Sequence, residues 1–181
     1  ILYATPDELE ALSMGQRIGV LRDGKIVQTG SPDQLYDEPG DTFVATMVGS
    51  PKMNLLPGKK QENNGNATIE LGFTEVSDGP WNQALADFPA GTELLFGFRP
   101  HDVEPLRNQV FGPKFKAQVH LTEPLGDITV LDMKVSQHSF RMVLPEEQAV
   151  QYRVGDEFEV ALHLERSYAF AADTGTACLL Y

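Results

Sequence analysis

Four histidines, one cysteine and a spread of carboxylates are the side chains here with the widest chemical repertoire, and their spacing limits what they can do. His101, His120, His138 and His163 stand on separate segments with no i, i+4 pair and no cysteine cluster nearby, so metal-ligand spacing is missing. Most of them read as solvent-facing; His163, between Leu162 and Leu164, falls on the polar side of an alternating strand. Glu123 and Asp127 bracket Gly126 and resemble an acid–base pair, but acidic residues around a glycine are more often the rim of a turn. Ser139 and Ser167 have no His and Asp set with them as a nucleophile needs. A phosphate loop needs several backbone N–H groups and a lysine aimed at the phosphates, and no segment has the Gly-x-x-x-x-Gly-Lys-Ser/Thr form. Arg99 precedes Pro100 and reads first as a structural ion-pair partner of Asp102 or Glu104, second as a ligand contact. Trp81 follows Gly79-Pro80 in a polar stretch and reads as the best candidate for an exposed contact residue.

Composition narrows the function classes. With 181 residues, 41% of them hydrophobic, the chain can pack one large or two small domains. A formal charge of −12, with only 14 Lys and Arg, argues against a nucleic-acid partner, which demands clustered cations. Cys178 is the only cysteine, so no internal disulfide forms and a reducing compartment is the simpler reading. No run approaches the roughly 20 apolar residues of a membrane span. Ile1 opens in the middle of a strand pattern without an initiator Met, which reads as a cut from a longer chain.

The elements that must hold these residues divide into two kinds. Asp7 to Gly15 predicts a short helix with Glu8 and Glu10 in its first turn, and Pro6 reads as a residue starting it at N1. Ile18–Leu21 and Lys25–Thr29 flank Asp23-Gly24, a hairpin signal. Ser31-Pro32 is an N-cap followed by proline, predicting a helix through Asp37, and Asp41 to Val48 predicts another. From Pro57 to Asn66 the chain turns polar and turn-rich, and the domain boundary is placed at its start, giving units 1–56 and 57–181. Beyond it apolar residues alternate: Ala67, Ile69, Leu71; Phe115, Ala117, Val119, Leu121; Phe140, Met142, Leu144; Phe158, Val160, Leu162, Leu164. Strands at about ten-residue spacing, separated by Gly, Pro and Asp, predict a small all-β barrel or sandwich.

Particular segments then resemble a family. Thr5-Pro6-Asp7, Thr29-Gly30-Ser31-Pro32, Leu35-Tyr36, Phe43-Val44-Ala45, Gly49-Ser50-Pro51 and Met53-Asn54 resemble the end of an ABC transporter ATPase domain. Gly97-Phe98-Arg99-Pro100-His101-Asp102, Thr122-Glu123-Pro124-Leu125-Gly126, Val154-Gly155-Asp156 and Asp173-Thr174-Gly175 resemble the regulatory domain of importer ATPase subunits of the maltose and glycerol-phosphate type. The resemblance implies an α+β fragment followed by an OB-like β-barrel of the TOBE or MOP kind. It implies ATP and Mg in the full-length parent, with none expected for this chain. It implies a homodimer or paired ATPase subunit, ABC permease subunits, a possible regulatory protein, and a place at the cytoplasmic face of the inner membrane. Pro6 stands where the family has its switch-loop His, so no catalytic residue is assigned. Losing one donor to developing charge typically costs roughly 2.7 to 4 kcal/mol in a transition state. Arg99, Asp102, Trp81, Glu123 and Gly126 are the regulatory or interface candidates.

The alternative is a small-ligand or oxyanion-binding β-barrel. Against it, Arg99, Arg107, Arg141, Arg153 and Arg166 read as scattered among more numerous acids, and Phe73, Phe88, Phe96, Phe98 and Phe111 as core or dimer-facing rather than a stacking platform.

Overall fold

Asp7 opens the chain's first helix by accepting hydrogen bonds from the N–H groups of Leu9 and Glu10, and α1 runs Glu8–Met14 to a cap at Gly15. Pro6 therefore lies ahead of the N-cap and is not the N1 residue read from the sequence; Glu8 takes that place. The computed structural model describes residues 1–63, 65–77, 79–86, 88–106 and 112–178, so Arg107 and Phe111 lie outside the described residues.

β1 (Ile18–Arg22) and β2 (Lys25–Gly30) pair antiparallel around Asp23 and Gly24, both at positive φ, as a tight hairpin demands. α2 (Pro32–Asp37) starts on a full capping box: Ser31 Oγ accepts from the Gln34 N–H while Gln34 Oε1 accepts from the Ser31 N–H. α3 (Thr42–Met47) starts on Asp41. Val20, Leu35, Val44 and Val48 close a small core among these elements.

The rest is strand. In chain order come β3 (Asn54–Asn63), β4 (Asn66–Glu70), β5 (Glu75–Val76), β6 (Glu93–Phe98) and β7 (Val103–Pro105). They are followed by β8 (Lys114–Pro124), β9 (Ile128–Val135), β10 (His138–Pro145), the single turn α4 (Glu146–Ala149), β11 (Glu157–Leu162) and β12 (Ser167–Ala171). They form two five-stranded sheets in the orders β12-β6-β3-β4-β5 and β10-β9-β8-β11-β7.

One apolar core joins the sheets, with Leu56, Ile69, Leu94 and Phe96 from the first meeting Phe115, Met133, Phe140 and Val160 from the second. A string of rings crosses it: Trp81 to Phe96 at 6.3 Å, Phe96 to Phe98 and Phe98 to Phe140 at 5.9 Å, Phe140 to Phe115 at 5.8 Å. Two strands depart from the sequence reading. Pro57 and Gly58, read as the start of a turn-rich stretch, lie inside β3. At Pro57 that strand pairs with β6 alone, β4 joining only from Lys59, so a missing N–H leaves no β4 acceptor unserved there. Leu121, expected inward, is 51% exposed because a bulge in β8 between Val119 and Leu121 inserts His120 and shifts the alternation.

Candidate functional site

The two kinds of structure meet around a buried arginine, beside an Asp41–Thr176 bridge and a small core of Ala45, Met53, Tyr168 and Phe170. Arg99 follows the last residue of β6, points away from its own sheet and is 1% exposed. Its Nη1 donates to the carbonyls of Ala45, at 2.9 Å, and Val48; Nη2 donates to the carbonyl of Tyr36 at 2.6 Å. These carbonyls belong to the last turns of α2 and α3, where helix termini leave acceptors unpaired and the macrodipole is negative. Neither helix has a basic residue in its own last turn. The guanidinium from the β-region supplies that charge to both, and its flat fork suits two helix ends at once.

Tyr36 adds its ring, 4.1 Å from the Arg99 guanidinium carbon to the centroid. Gly49 makes room: a Cβ there would come within 3.0 Å of both Arg99 Nη1 and the Tyr36 ring, and its φ of +110° suits glycine alone. Arg99 Nε is buried without a hydrogen-bond acceptor. Burial pulls the guanidinium below its ordinary pKa, opposed by Tyr36, Tyr168 and Asp102. The expected ion pairs of Arg99 with Asp102 or Glu104 do not form; backbone carbonyls take their place. Asp102 lies 3.9 Å from Arg166, and Glu104 faces His163 Nε2 at 3.2 Å.

Asp102 is 6% exposed, and burial raises its carboxyl pKa, with Arg166 and the nearby histidines pulling the other way. The folded chain thus holds this proton more tightly than the unfolded chain. The group's contribution to stability is full below its unfolded pKa and is lost as pH rises through the raised folded value. Asp102→Asn is expected to flatten the fall in melting temperature as pH rises from about 3.8, read as the difference between the variant and the natural chain. An unchanged slope would count against the burial argument.

The remaining candidates separate. Trp81, expected at the surface, is fully buried: its indole N–H donates to Ser167 Oγ at 3.0 Å and its ring meets Phe96 edge-on. Tertiary packing overrides the polar sequence around it. Glu123 and Gly126 are exposed at and beside the β8–β9 turn, with Gly126 at φ +98°. Around that turn large apolar side chains face outward: Leu121 at 51% exposure, Leu125 at 55%, Val150 at 63% and Val154 at 61%. Backbone bonds hold these segments side by side, from Glu146 N–H to the Asp127 carbonyl and from Gly155 N–H to the Val119 carbonyl.

At the chain's start, Thr5 Oγ1 donates to Glu10 at 2.8 Å and accepts the Asp7 N–H at 3.0 Å, while the Asp7 carboxylate is taken up by the α1 cap. Pro6 adds no side-chain donor and no N–H to this turn. Among the described residues no group of three or more His, Cys, Asp or Glu is placed to hold a metal, and no helix is long and apolar enough to cross a membrane. Sequence reasoning missed the roles of Tyr36 and Gly49, because both act through a side chain 50 or more residues away and no local spacing marks them.

Comparison with known proteins gives consistent results. The family model described as the MalK OB fold domain matches residues 49–103. The chain is 33% identical to the trehalose/maltose import ATP-binding protein MalK of Thermococcus litoralis, over 97% of this chain and 48% of that protein. It is 31% identical to the oligosaccharides import ATP-binding protein MsmX of Bacillus subtilis, over 96% and 47%. It is 30% identical to the maltose/maltodextrin import ATP-binding protein MalK of Escherichia coli K12, over 98% and 47%. The chain spans about half the length of these relatives. Among solved structures, the cytoplasmic molybdate-binding protein ModG superposes with a TM-score of 0.51 at 12% identity, covering 64% of this chain and 94% of that one, a likeness of fold alone.

Proposed function

This chain belongs with the maltose-type import ATP-binding subunits, of whose length it spans about half, and we propose that it is their C-terminal, regulatory and dimer-forming region in a subunit that energises uptake of a sugar or related solute. The observation that carries this reading is the Arg99 anchor. A domain that acts on an ATPase domain must be mechanically joined to it, and one buried guanidinium here binds the ends of two helices on the ATPase-like side. Residues 1–53 are then the end of the ATPase domain and residues 54–181 the regulatory β-domain, since the boundary read from the sequence, 1–56 and 57–181, falls inside β3. In this reading ATP and Mg belong to the whole subunit. Its partners in this reading are a second ATPase subunit, permease subunits and a regulatory protein, at the cytoplasmic face of the membrane.

The outward Leu121, Leu125, Val150 and Val154 support pairing of two subunits, since large apolar side chains on neighbouring segments are what a symmetric interface buries. Pro6, at the switch position of the family pattern, supports a slow hydrolytic site and so a subunit whose weight lies in regulation. The test is sedimentation and ATP hydrolysis of the full-length subunit with its permease. The natural subunit is expected to sediment as a dimer and Leu125→Asp/Val154→Asp as a monomer, with Pro6→His hydrolysing ATP faster. A monomeric natural subunit, or a variant that still dimerises, overturns the dimer-forming part.

A further inference from the structure

Cations that look scattered in the sequence are partly gathered by the fold. A groove of about 520 Å³ lies where the β8–β9–β10 face meets the segment leading into β3. Lys52, His120, Asp132, Lys134, Ser139 and Arg141 line it. The strand register explains the grouping: across β9 and β10, Ser139 stands opposite Lys134 and Arg141 opposite Asp132. These four alternate with the buried Met133, Phe140 and Met142, so they share the outer face. The β8 bulge brings in His120, and Lys52 arrives from the other side of the seam.

The seam is held rigidly at this point. β10 is an edge strand, and Asn54 of β3 grips it as a pairing strand would: its Oδ1 accepts the Arg141 N–H and its Nδ2 donates to the Arg141 carbonyl, each at 2.8 Å. Arg141 is therefore fixed at its backbone while its side chain lies in the groove.

Charge then decides what the groove suits. Three fixed cations face one carboxylate, on a chain whose formal charge is −12. Asp132 is engaged by Arg141 Nε at 3.0 Å, whereas Lys52 and Lys134 have no ion-pair partner among the described residues. A local excess of ammonium and guanidinium donors beside a serine hydroxyl is the donor set a phosphate group takes. The groove's volume falls within the range of small-metabolite clefts, and Met53, Leu55 and Phe140 give it apolar wall for an uncharged body.

We propose that this groove binds a phosphate group, as a small phosphate monoester or as free phosphate. The site goes beyond the transport reading and does not depend on it.

The test is calorimetric titration of the 181-residue chain with inorganic phosphate, glucose 6-phosphate and glucose. Both phosphates are expected to bind and glucose not. Lys52→Gln and Lys134→Gln are each expected to weaken binding about tenfold, and Asp132→Asn, which frees Arg141, to tighten it roughly threefold. Unchanged melting temperatures for these variants show that the fold is intact. Tighter binding of glucose 6-phosphate identifies the monoester as the ligand, and equal binding identifies free phosphate. Failure of both to bind, binding undiminished in the Lys52→Gln/Lys134→Gln double variant, or binding of a glutamate-rich peptide without phosphate would overturn the proposal.

Discussion

Replacing Arg99 by methionine is expected to destabilise the chain by about 4 kcal/mol, because two buried carbonyls and one part-buried carbonyl lose a charged donor at once and each such bond contributes roughly 1.5 to 3 kcal/mol. Methionine keeps the apolar stem and so isolates the guanidinium. Its gain is small: the buried Nε that lacks an acceptor disappears with the head group, which offsets part of the loss. At this chain length the melting temperature should fall roughly 10 °C. Arg99→Lys should recover less than half of that, since one ammonium cannot span the ends of α2 and α3 in place of a planar fork. A methionine variant melting within about 2 °C of the natural chain would show that the two helix ends are satisfied without Arg99.

Trp81→Ala should cost a similar amount, about 4 kcal/mol, from the volume removed in the main core. The indole packs edge-on against Phe96 at one end of the ring string and its N–H donates to Ser167, which itself donates to the Leu164 carbonyl. Trp81→Phe keeps a ring but loses that hydrogen bond, and about 1 to 2 kcal/mol is expected. Urea unfolding of the three chains gives the comparison. As Trp81 is the only tryptophan, fluorescence adds an independent check: the native emission should be blue-shifted and resist acrylamide quenching. Emission like that of free indole in water would place the ring at the surface, as its sequence context suggests.

These two residues also mark how far the sequence could be read. Arg99 is marked by its Gly-x-Arg-Pro setting, but local spacing points to the nearby acids as its partners and not to the open carbonyls of helices 50 or more residues away. Gly79-Pro80 and the polar stretch around Trp81 mark a turn, and a turn says nothing about which side chain tucks beneath it. Helices α1 to α3 were legible because each begins on a capping residue whose chemistry is local. The hairpin of β1 and β2 was legible from Asp23-Gly24 for the same reason. β3 was partly hidden: Gly58 looks like a breaker, yet a Cβ there would meet Ile69 Cγ2 at 2.7 Å, so close strand packing requires the glycine. Leu121 departs from the alternation because one inserted residue reverses it, and nothing in the composition of β8 announces the insertion. The phosphate groove was illegible for a related reason: its cations lie 89 positions apart at the extremes and become neighbours only through strand order.

The Arg99 anchor also sets a timetable for synthesis. The carbonyl of Val48 is made 51 residues before the guanidinium that satisfies it. At ordinary elongation rates that is an interval of roughly 3 to 10 s. During it the ends of α2 and α3 lack this donor, which arrives only with the residue that follows β6.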